Sequence, residues 1–261
     1  VFFAVKVSQM LEVRCTDAGE FVVARARKLV FESRCLDRDV SLYRERLIGD
    51  LALGVGPYPA ATMIPSLLTD LRTRFAGVKV RVEVNNASYL AEHLRAEELD
   101  FYIADRRNID ATSDFDVTLI GRLSGGFYVR SGHPLLSSPT VNGPDLMPYG
   151  LASVRVPEVI LRLLAPVMGF PDGTLLPLAL ECDDLNLLKT VAMNTDTVLA
   201  CADTATTQEV ETAKLFRLVV AGLPPMFSDM GVVSLKGRSF SPMAQFAVDF
   251  LMRWGEQQAD A

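Results

Sequence analysis

The sequence predicts an α/β fold in which two lobes of alternating strands and helices follow one long helix. Three observations predict it. Residues 16–47 carry an apolar stripe at helical spacing, and from residue 50 onward short apolar runs alternate with amphipathic segments. That alternation breaks near residues 121–124 and 222–225, as two crossings between lobes would require, each lobe having the roughly 100 residues of a small domain.

The long helix opens at Thr16, a good N-cap, with Glu20 adding negative charge to the first turn. Val22, Ala26, Leu29, Ser33, Leu36, Val40, Tyr43 and Leu47 then fall on one stripe, while Arg25, Arg27, Lys28, Arg34 and Asp37 lie off it. A solitary helix of about 30 residues cannot cover such a stripe, so it pairs with another copy or docks on the body. Self-association is expected.

In the first lobe, residues 50–55 read as a buried strand. Residues 61–75 read as a helix presenting Ile64, Leu67, Leu68, Leu71 and Phe75, and 78–84 as a strand alternating at Val78, Val80, Val82 and Val84. A helix over 88–97 and strands over 99–104 and 117–120 complete a β-α-β-α-β order. Such an order builds a parallel sheet that binds ligands at the carboxyl ends of its strands. The second lobe reads as strands over 126–130, 150–154, 178–182, 197–201 and 215–220, with helices over 158–168, 185–193 and 204–213. The chain then returns to a strand over 230–235 and a last helix. Ser241 is its N-cap, Pro242 takes its first position, and Phe246, Phe250 and Trp254 point inward.

Composition narrows the function. The 261 residues are 49% hydrophobic and 22% charged, which excludes a disordered chain. No apolar run approaches the roughly 18 residues of a membrane helix, and the run at residues 1–5 is shorter than the core of a secretory leader, about 7 to 15 residues. A soluble cytoplasmic protein is expected. Residues 1–47 carry a net charge of +2 and the remainder −8, so only the first segment suits a polyanion such as DNA. Cys15, Cys35, Cys182 and Cys201 contain no CxxC pair and read as reduced thiols.

Catalytic constellations are scarce. His93 sits between Leu90 and Leu94 on a helix and His133 in a Gly-His-Pro turn, neither with a spaced metal partner or a nucleophile beside it. No Gly-x-Ser-x-Gly elbow and no phosphate-binding Gly-Lys-Ser/Thr loop occurs. Gly54-Val55-Gly56 begins like a dinucleotide fingerprint, but the third glycine position is Pro59, and Pro57 and Pro59 remove N–H donors that a pyrophosphate needs. No metal and no cofactor are expected. What remains is a cleft between lobes. There the loop from Gly56 to Thr62 opens a helix that favours an anion, with Tyr58 and Thr62 as hydroxyl donors and Arg106 as a charge. Ser153 and Arg155 end one strand of the other lobe, and Asp183 with Asp184 end the next. Asp183, Asp184 and Asp203 make the cleft partly acidic, so an amine-bearing ligand such as an amino acid is as suitable as an organic acid or an oxyanion.

The chain resembles the LysR-type transcriptional regulators. Val13-Arg14-Cys15-Thr16-Asp17-Ala18-Gly19-Glu20 is similar to the family's V-x-L-T-x-A-G-E, and Ala24-Arg25-Ala26-Arg27 to its linker helix. The likeness continues in Ile48-Gly49-Asp50-Leu51, Ile64-Pro65-Ser66-Leu67-Leu68, residues 94–100 with Ile103, and His133-Pro134-Leu135. It implies two Rossmann-like lobes of the type 2 periplasmic-binding-protein kind behind a linker helix. In residue ranges, 1–15 are the remnant of a winged helix-turn-helix and 16–49 the linker. Lobe I takes 50–121 with 225–261, and lobe II takes 122–224.

The resemblance implies a small effector bound between the lobes, promoter DNA as the partner of the full-length protein, and no catalysis. Carried over by position, its ligand residues fall in the loop from Gly56 to Ala61, which includes Ala60, near Asn86 to Ser88, at Ser153 and Arg155, and near Asp183 and Ala202. The family's late G-L-G turn is replaced here by Met193-Asn194-Thr195-Asp196, whose Asn can adopt the left-handed conformation. Two other readings use the same scaffold. A transport solute-binding module would need export and leave the long helix without a role, and an enzyme would need a base or nucleophile among Cys182, Asp183 and Asp184.

Overall fold

The computed structural model describes Thr16 and residues 18–19, 22–23, 25–34, 50–109 and 114–259. The chain divides into two compact units, residues 1–46 and 47–261. In the first, residues 25–34 are helical (α1), and upstream the Gly19 N–H donates to Thr16 Oγ1 at 3.2 Å, the cap the sequence implies. Leu29 is 66% and Val22 62% exposed, so the described part of the apolar stripe is bare. The helix-turn-helix remnant over 1–15, the stripe beyond residue 34, Cys15 and Cys35 lie outside the described residues.

The second unit begins with β1 (Leu51–Val55), α2 (Pro57–Thr62), α3 (Ile64–Arg74), β2 (Val80–Val84), α4 (Ala87–Arg95), β3 (Phe101–Asp105) and β4 (Phe115–Arg130). It continues with β5 (Val141–Asn142), α5 (Gly143–Leu146), β6 (Leu151–Ser153), α6 (Glu158–Leu164), β7 (Leu180–Glu181) and α7 (Leu185–Asn194). It closes with β8 (Val198–Ala202), α8 (Thr207–Glu211), β9 (Leu215–Leu218), β10 (Val220–Ala221), β11 (Met226–Leu235) and α9 (Pro242–Ala259). Among the described residues no helix is long and apolar enough to cross a membrane.

The main sheet runs β2-β1-β3-β11-β4-β8-β6-β7, with β9 beside β4. The expected all-parallel sheet is corrected to a mixed one. β1 is parallel to β2 and β3, and β6 to β7 and β8, but β11 is antiparallel to β3 and β4, and β4 to β8 and β9. The reason is the crossing. The chain leaves lobe I inside a strand and returns inside another, so each lobe receives a strand entering from the far side. The strands expected over 117–120 and 126–130 are therefore one 16-residue strand, β4, which runs unbroken through residues 121–124.

Gly121 suggested a break and instead serves packing. Its φ is +152°, and a Cβ there would lie 2.9 Å from the Gly255 Cα, while a Cβ on Gly255 would lie 1.4 Å from the Ile120 carbonyl oxygen. α9 thus presses its backbone onto the crossing strand, and only a glycine pair permits that approach.

Strand alternation places the cores. Leu51, Leu53 and Val55 of β1 and Phe101 and Ile103 of β3 join Leu67 and Leu71 of α3 and Ala247 and Leu251 of α9. Tyr102 and Ala104 face the opposite way, onto Leu90, Ala91 and Leu94 of α4. Gly54 shares that face, where a Cβ would meet Leu90 Cδ2 at 2.7 Å, so the first glycine of the apparent fingerprint is there for close helix packing. Leu185, Leu188 and Leu199 join the first core, and a second one gathers Phe127, Leu151, Leu161, Leu176 and Val198.

Several expected elements are corrected by backbone chemistry. The helix over 61–75 starts earlier, at Pro57, and breaks at Met63, because Pro57 and Pro65 each suit the first turn of a helix. The helix over 158–168 stops at Leu164, just short of Pro166. The strand over 215–220 is two strands parted at Val219, and the helix over 204–213 shortens to α8 behind a 3₁₀ turn. Asn194 is not left-handed. α7 ends there with Thr195 extended, and its last carbonyls are met by side chains, Asn194 Nδ2 to Thr190 O at 2.7 Å and Thr195 Oγ1 to Val191 O at 2.8 Å. Ser241 caps α9 as expected, its Oγ accepting from Ala244 N at 3.1 Å. The deepest residues of that helix are however Met243, Ala244, Ala247 and Leu251, with Phe246, Phe250 and Trp254 on their flank.

Candidate functional site

The carboxyl ends of β1, β2, β3, β6 and β8 converge on a cavity of about 750 Å³ between the two lobes. That volume lies in the range typical of small-molecule sites, about 300–1,000 Å³. Of the eleven residues singled out by the sequence, Gly56, Tyr58, Asn86, Ser88, Ser153, Arg155, Asp183 and Ala202 line it, and Ala60, Thr62 and Arg106 do not.

Local geometry explains the division. Gly56 is fixed by donating to Ile103 O at 2.9 Å, and α2 starts immediately after it, so Tyr58 turns into the cavity. Thr62 lies one turn further along and spends its hydroxyl on Tyr58 O at 2.8 Å. After β3, Asp105 caps a 3₁₀ turn through Arg107 N at 2.9 Å, and that turn leaves Arg107, not Arg106, on the wall. Arg107 Nη2 donates to Phe227 O at 2.8 Å and Ser228 Oγ at 3.0 Å while Nε reaches Asp105 Oδ1 at 3.0 Å. It therefore ties the end of β3 to the start of β11.

Across the cavity, the Asp183 carboxylate accepts from Arg155 N at 3.0 Å, and Arg155 Nε faces Glu181 Oε1 at 3.5 Å. The helix cap is Asp184, whose Oδ1 accepts from Asn186 N at 2.8 Å, and not Asp183. Asp203 is also off the wall, bound to the Tyr128 hydroxyl and to Arg217 Nε. Of the three aspartates expected to acidify the cleft, only Asp183 faces it, and Asp105 joins it.

The remaining polar lining is uncharged. Asn86 caps α4, its Oδ1 accepting from Tyr89 N at 3.0 Å, and Asn85 Oδ1 accepts from Asn86 N at 2.9 Å. Burial raises the Tyr58 hydroxyl far above the ordinary phenol range, with the Ser153 hydroxyl, its neighbour, pulling the other way. Burial also pushes the Cys201 thiol up to about 12, so it lines the cavity as a neutral, unreactive group. Cys182 and Cys201 are both free.

The two histidines serve local structure. The His133 Nδ1 accepts from Leu135 N at 3.1 Å, leaving Nε2 to donate to Asp196 O at 2.9 Å. His93 stacks on Tyr89 with its Nδ1 3.0 Å from Glu98. Among the described residues no group of three His, Cys, Asp or Glu could hold a metal ion.

Sequence reasoning missed Asn85, Asp105, Arg107, Ser124 and the apolar half of the wall, on which Ile160, Leu164, Leu176 and Leu178 lie. Asn85 and Asp105 are strand-end residues and could have been found by position. Nothing local distinguishes Arg107 from Arg106.

Two lobes threaded by two crossing strands around such a cavity define a ligand-binding domain of the type 2 periplasmic-binding-protein kind. The comparisons specify it further, since residues 44–256 match the LysR substrate binding domain. The chain belongs to that family and carries the effector-binding domain of a LysR-type transcriptional regulator. It is 30% identical over 237 residues, 90% of this chain and 76% of the other, to the SDS degradation transcriptional activation protein of a Pseudomonas strain. Its fold is shared with the regulatory domain of Synechocystis CcmR in complex with 2-PG (TM-score 0.64, 18% identity, 80% of this chain and 98% of that one). It is shared also with the effector-binding domain of QuiR in complex with shikimate (TM-score 0.63, 14% identity, 81% and 99%).

Proposed function

We propose that this chain senses a small organic effector in the interlobe cavity and, in the full-length protein, uses the bound state to change how promoter DNA is held. The effector site comprises Gly56, Tyr58, Asn86, Ser88, Ser153, Arg155, Asp183 and Ala202, with Arg107 in the place first given to Arg106. Lobe I spans 50–121 and 225–261 and lobe II 122–224. The effector crosslinks the two by touching both walls. One observation carries this reading: residues remote in sequence, Tyr58 and Asn86 from one lobe and Ser153 and Asp183 from the other, face a single cavity of about 750 Å³.

The output is mechanical and not chemical. Cys201 is a neutral buried thiol, and both wall carboxylates already accept hydrogen bonds, so neither group stands ready as nucleophile or base. Residues 16–49 act as the linker that joins copies of the chain into a dimer or tetramer, and the protein works in the cytoplasm. A thermal-shift screen of the full chain over amino acids, organic acids, oxyanions and neutral organic compounds tests this. A compound that raises the melting temperature and is recovered unchanged supports the proposal. Conversion of the compound to product would replace it with an enzyme.

A further inference from the structure

The cavity is larger and more apolar than a simple anion or amino acid requires. At about 30 Å³ for a water-sized group, its volume of about 750 Å³ holds on the order of 20 non-hydrogen atoms. Its walls also differ. Lobe I contributes Tyr58, Asn85, Asn86, Ser88 and the Arg107–Asp105 pair, whereas lobe II adds to the polar Ser153, Arg155 and Asp183 an apolar stretch of Phe127, Ile160, Leu161, Leu164, Leu176 and Leu178. Phe127, Leu161 and Leu176 belong to the buried core of lobe II, and Leu164 and Leu178 pack against it. The space therefore reaches from the cleft into a hydrophobic core, beneath α6. An apolar void of this kind leaves its lining without contact partners, which only an apolar occupant restores.

Among the described residues the charges on the wall balance, two arginines against two aspartates, so the wall favours neither an anion nor a cation. Arg107 pairs with Asp105, Arg155 faces Glu181, and Asp183 accepts from the Arg155 backbone. Hydroxyls and amides are what the cleft offers a ligand's polar end.

Resting on the cleft reading above, we propose that the effector is an amphiphile, with an uncharged hydrogen-bonding head at Tyr58 and Ser153 and an aliphatic tail under α6 between Leu161 and Leu178. The tail is the part the lobe II core selects by length. The head lies between the lobes, where it can link ligand occupancy to lobe placement.

The test is a calorimetric titration of the full chain with the n-alkanols from 1-butanol to 1-decanol, with octanoate, sulfate and glycine in parallel. Saturable one-site binding should tighten about fourfold for each added methylene up to a length limit, and octanoate should bind about tenfold more weakly than 1-octanol. Leu178→Trp, at a half-buried position, should lower the length limit. Should that variant fail to fold, the wild-type length series decides alone. Affinity independent of chain length, or tighter binding of octanoate, overturns the amphiphile. If glycine or sulfate binds and Ser153→Ala weakens it while the alkanols do not bind, the amphiphile falls and the cleft reading stands. If alkanols bind with the expected length dependence but Tyr58→Phe and Ser153→Ala change nothing, the head is not in the cleft and both readings fall.

Discussion

Gly255→Ala offers a sharp test of how α9 is anchored to the crossing strand, because two effects of opposite sign compete there. Alanine inside a helix is favoured over glycine by roughly 1 kcal/mol, so on propensity alone the substitution stabilises. Its Cβ, however, would stand 1.4 Å from the Ile120 carbonyl oxygen and 3.2 Å from the Gly121 Cα. Both are backbone atoms that no rotamer change can move. To restore an ordinary contact of about 3.5 Å, the helix end must retreat by about 2 Å, parting Leu251 and Trp254 from the core they join. Overpacking strain of about 1–3 kcal/mol with lost burial on top exceeds the propensity gain. The expected net loss is about 2–4 kcal/mol, a fall in Tm of about 5–15 °C for a domain of this size. Scanning calorimetry reads it, with exposed Glu256→Ala as the neighbour that leaves Tm unchanged. A Tm for Gly255→Ala at or above that of the wild type would refute the close approach.

Other expectations follow from the same geometry. Tyr58→Phe and Ser153→Ala should each weaken the effector by about 1–3 kcal/mol with little change in Tm, while Thr62→Ala, whose hydroxyl is bonded to Tyr58 O, should leave affinity unchanged by calorimetry. Lys189 and Glu209 form an ion pair at 2.8 Å with side chains only 14% and 13% exposed. Lys189→Met alone should cost about 3–5 kcal/mol in urea unfolding, and Lys189→Met with Glu209→Leu should recover most of it. Burial raises Cys201 from an ordinary thiol to about 12 and Tyr128 likewise to about 12. Both groups are held protonated in the native state, so their contribution is intact below their unfolded pKa values, about 8.5 and 10, and is lost as pH rises toward 12. Cys201→Ala should flatten the lower part of that decline in a series of urea midpoints. Leu29→Glu should dissociate oligomers held by the linker stripe, and unchanged mass by light scattering would move the interface elsewhere.

Much of this architecture was legible in the sequence because its signals are local. The buried run of β1, the strict alternation of β2, the Thr16 and Ser241 caps and the strand-end positions of Gly56 and Ser153 each follow from a few neighbouring residues. What could not be read is set by distant chain. Gly121 looks like a break until Gly255, more than a hundred positions on, is known to need its bare Cα. Arg107 and Arg106 are equivalent until β11 supplies Phe227 O and Ser228 Oγ to one of them. Asp183, Asp184 and Asp203 look alike as strand-end acids, yet a backbone N–H, a helix start and a phenol divide them into a wall residue, a cap and an internal anchor. The apolar lobe II wall was read only as core periodicity, because a core residue and a cavity-lining residue share one hydrophobic pattern.

The central claim is that one effector touches both lobes at once, and hydrogen exchange of the full chain with and without the best compound from the thermal screen tests it most directly. Protection appearing together at residues 57–62 and 85–88 of lobe I and at 153–157 of lobe II is the result this account predicts. Protection confined to one lobe, or spread evenly over the chain, would contradict it.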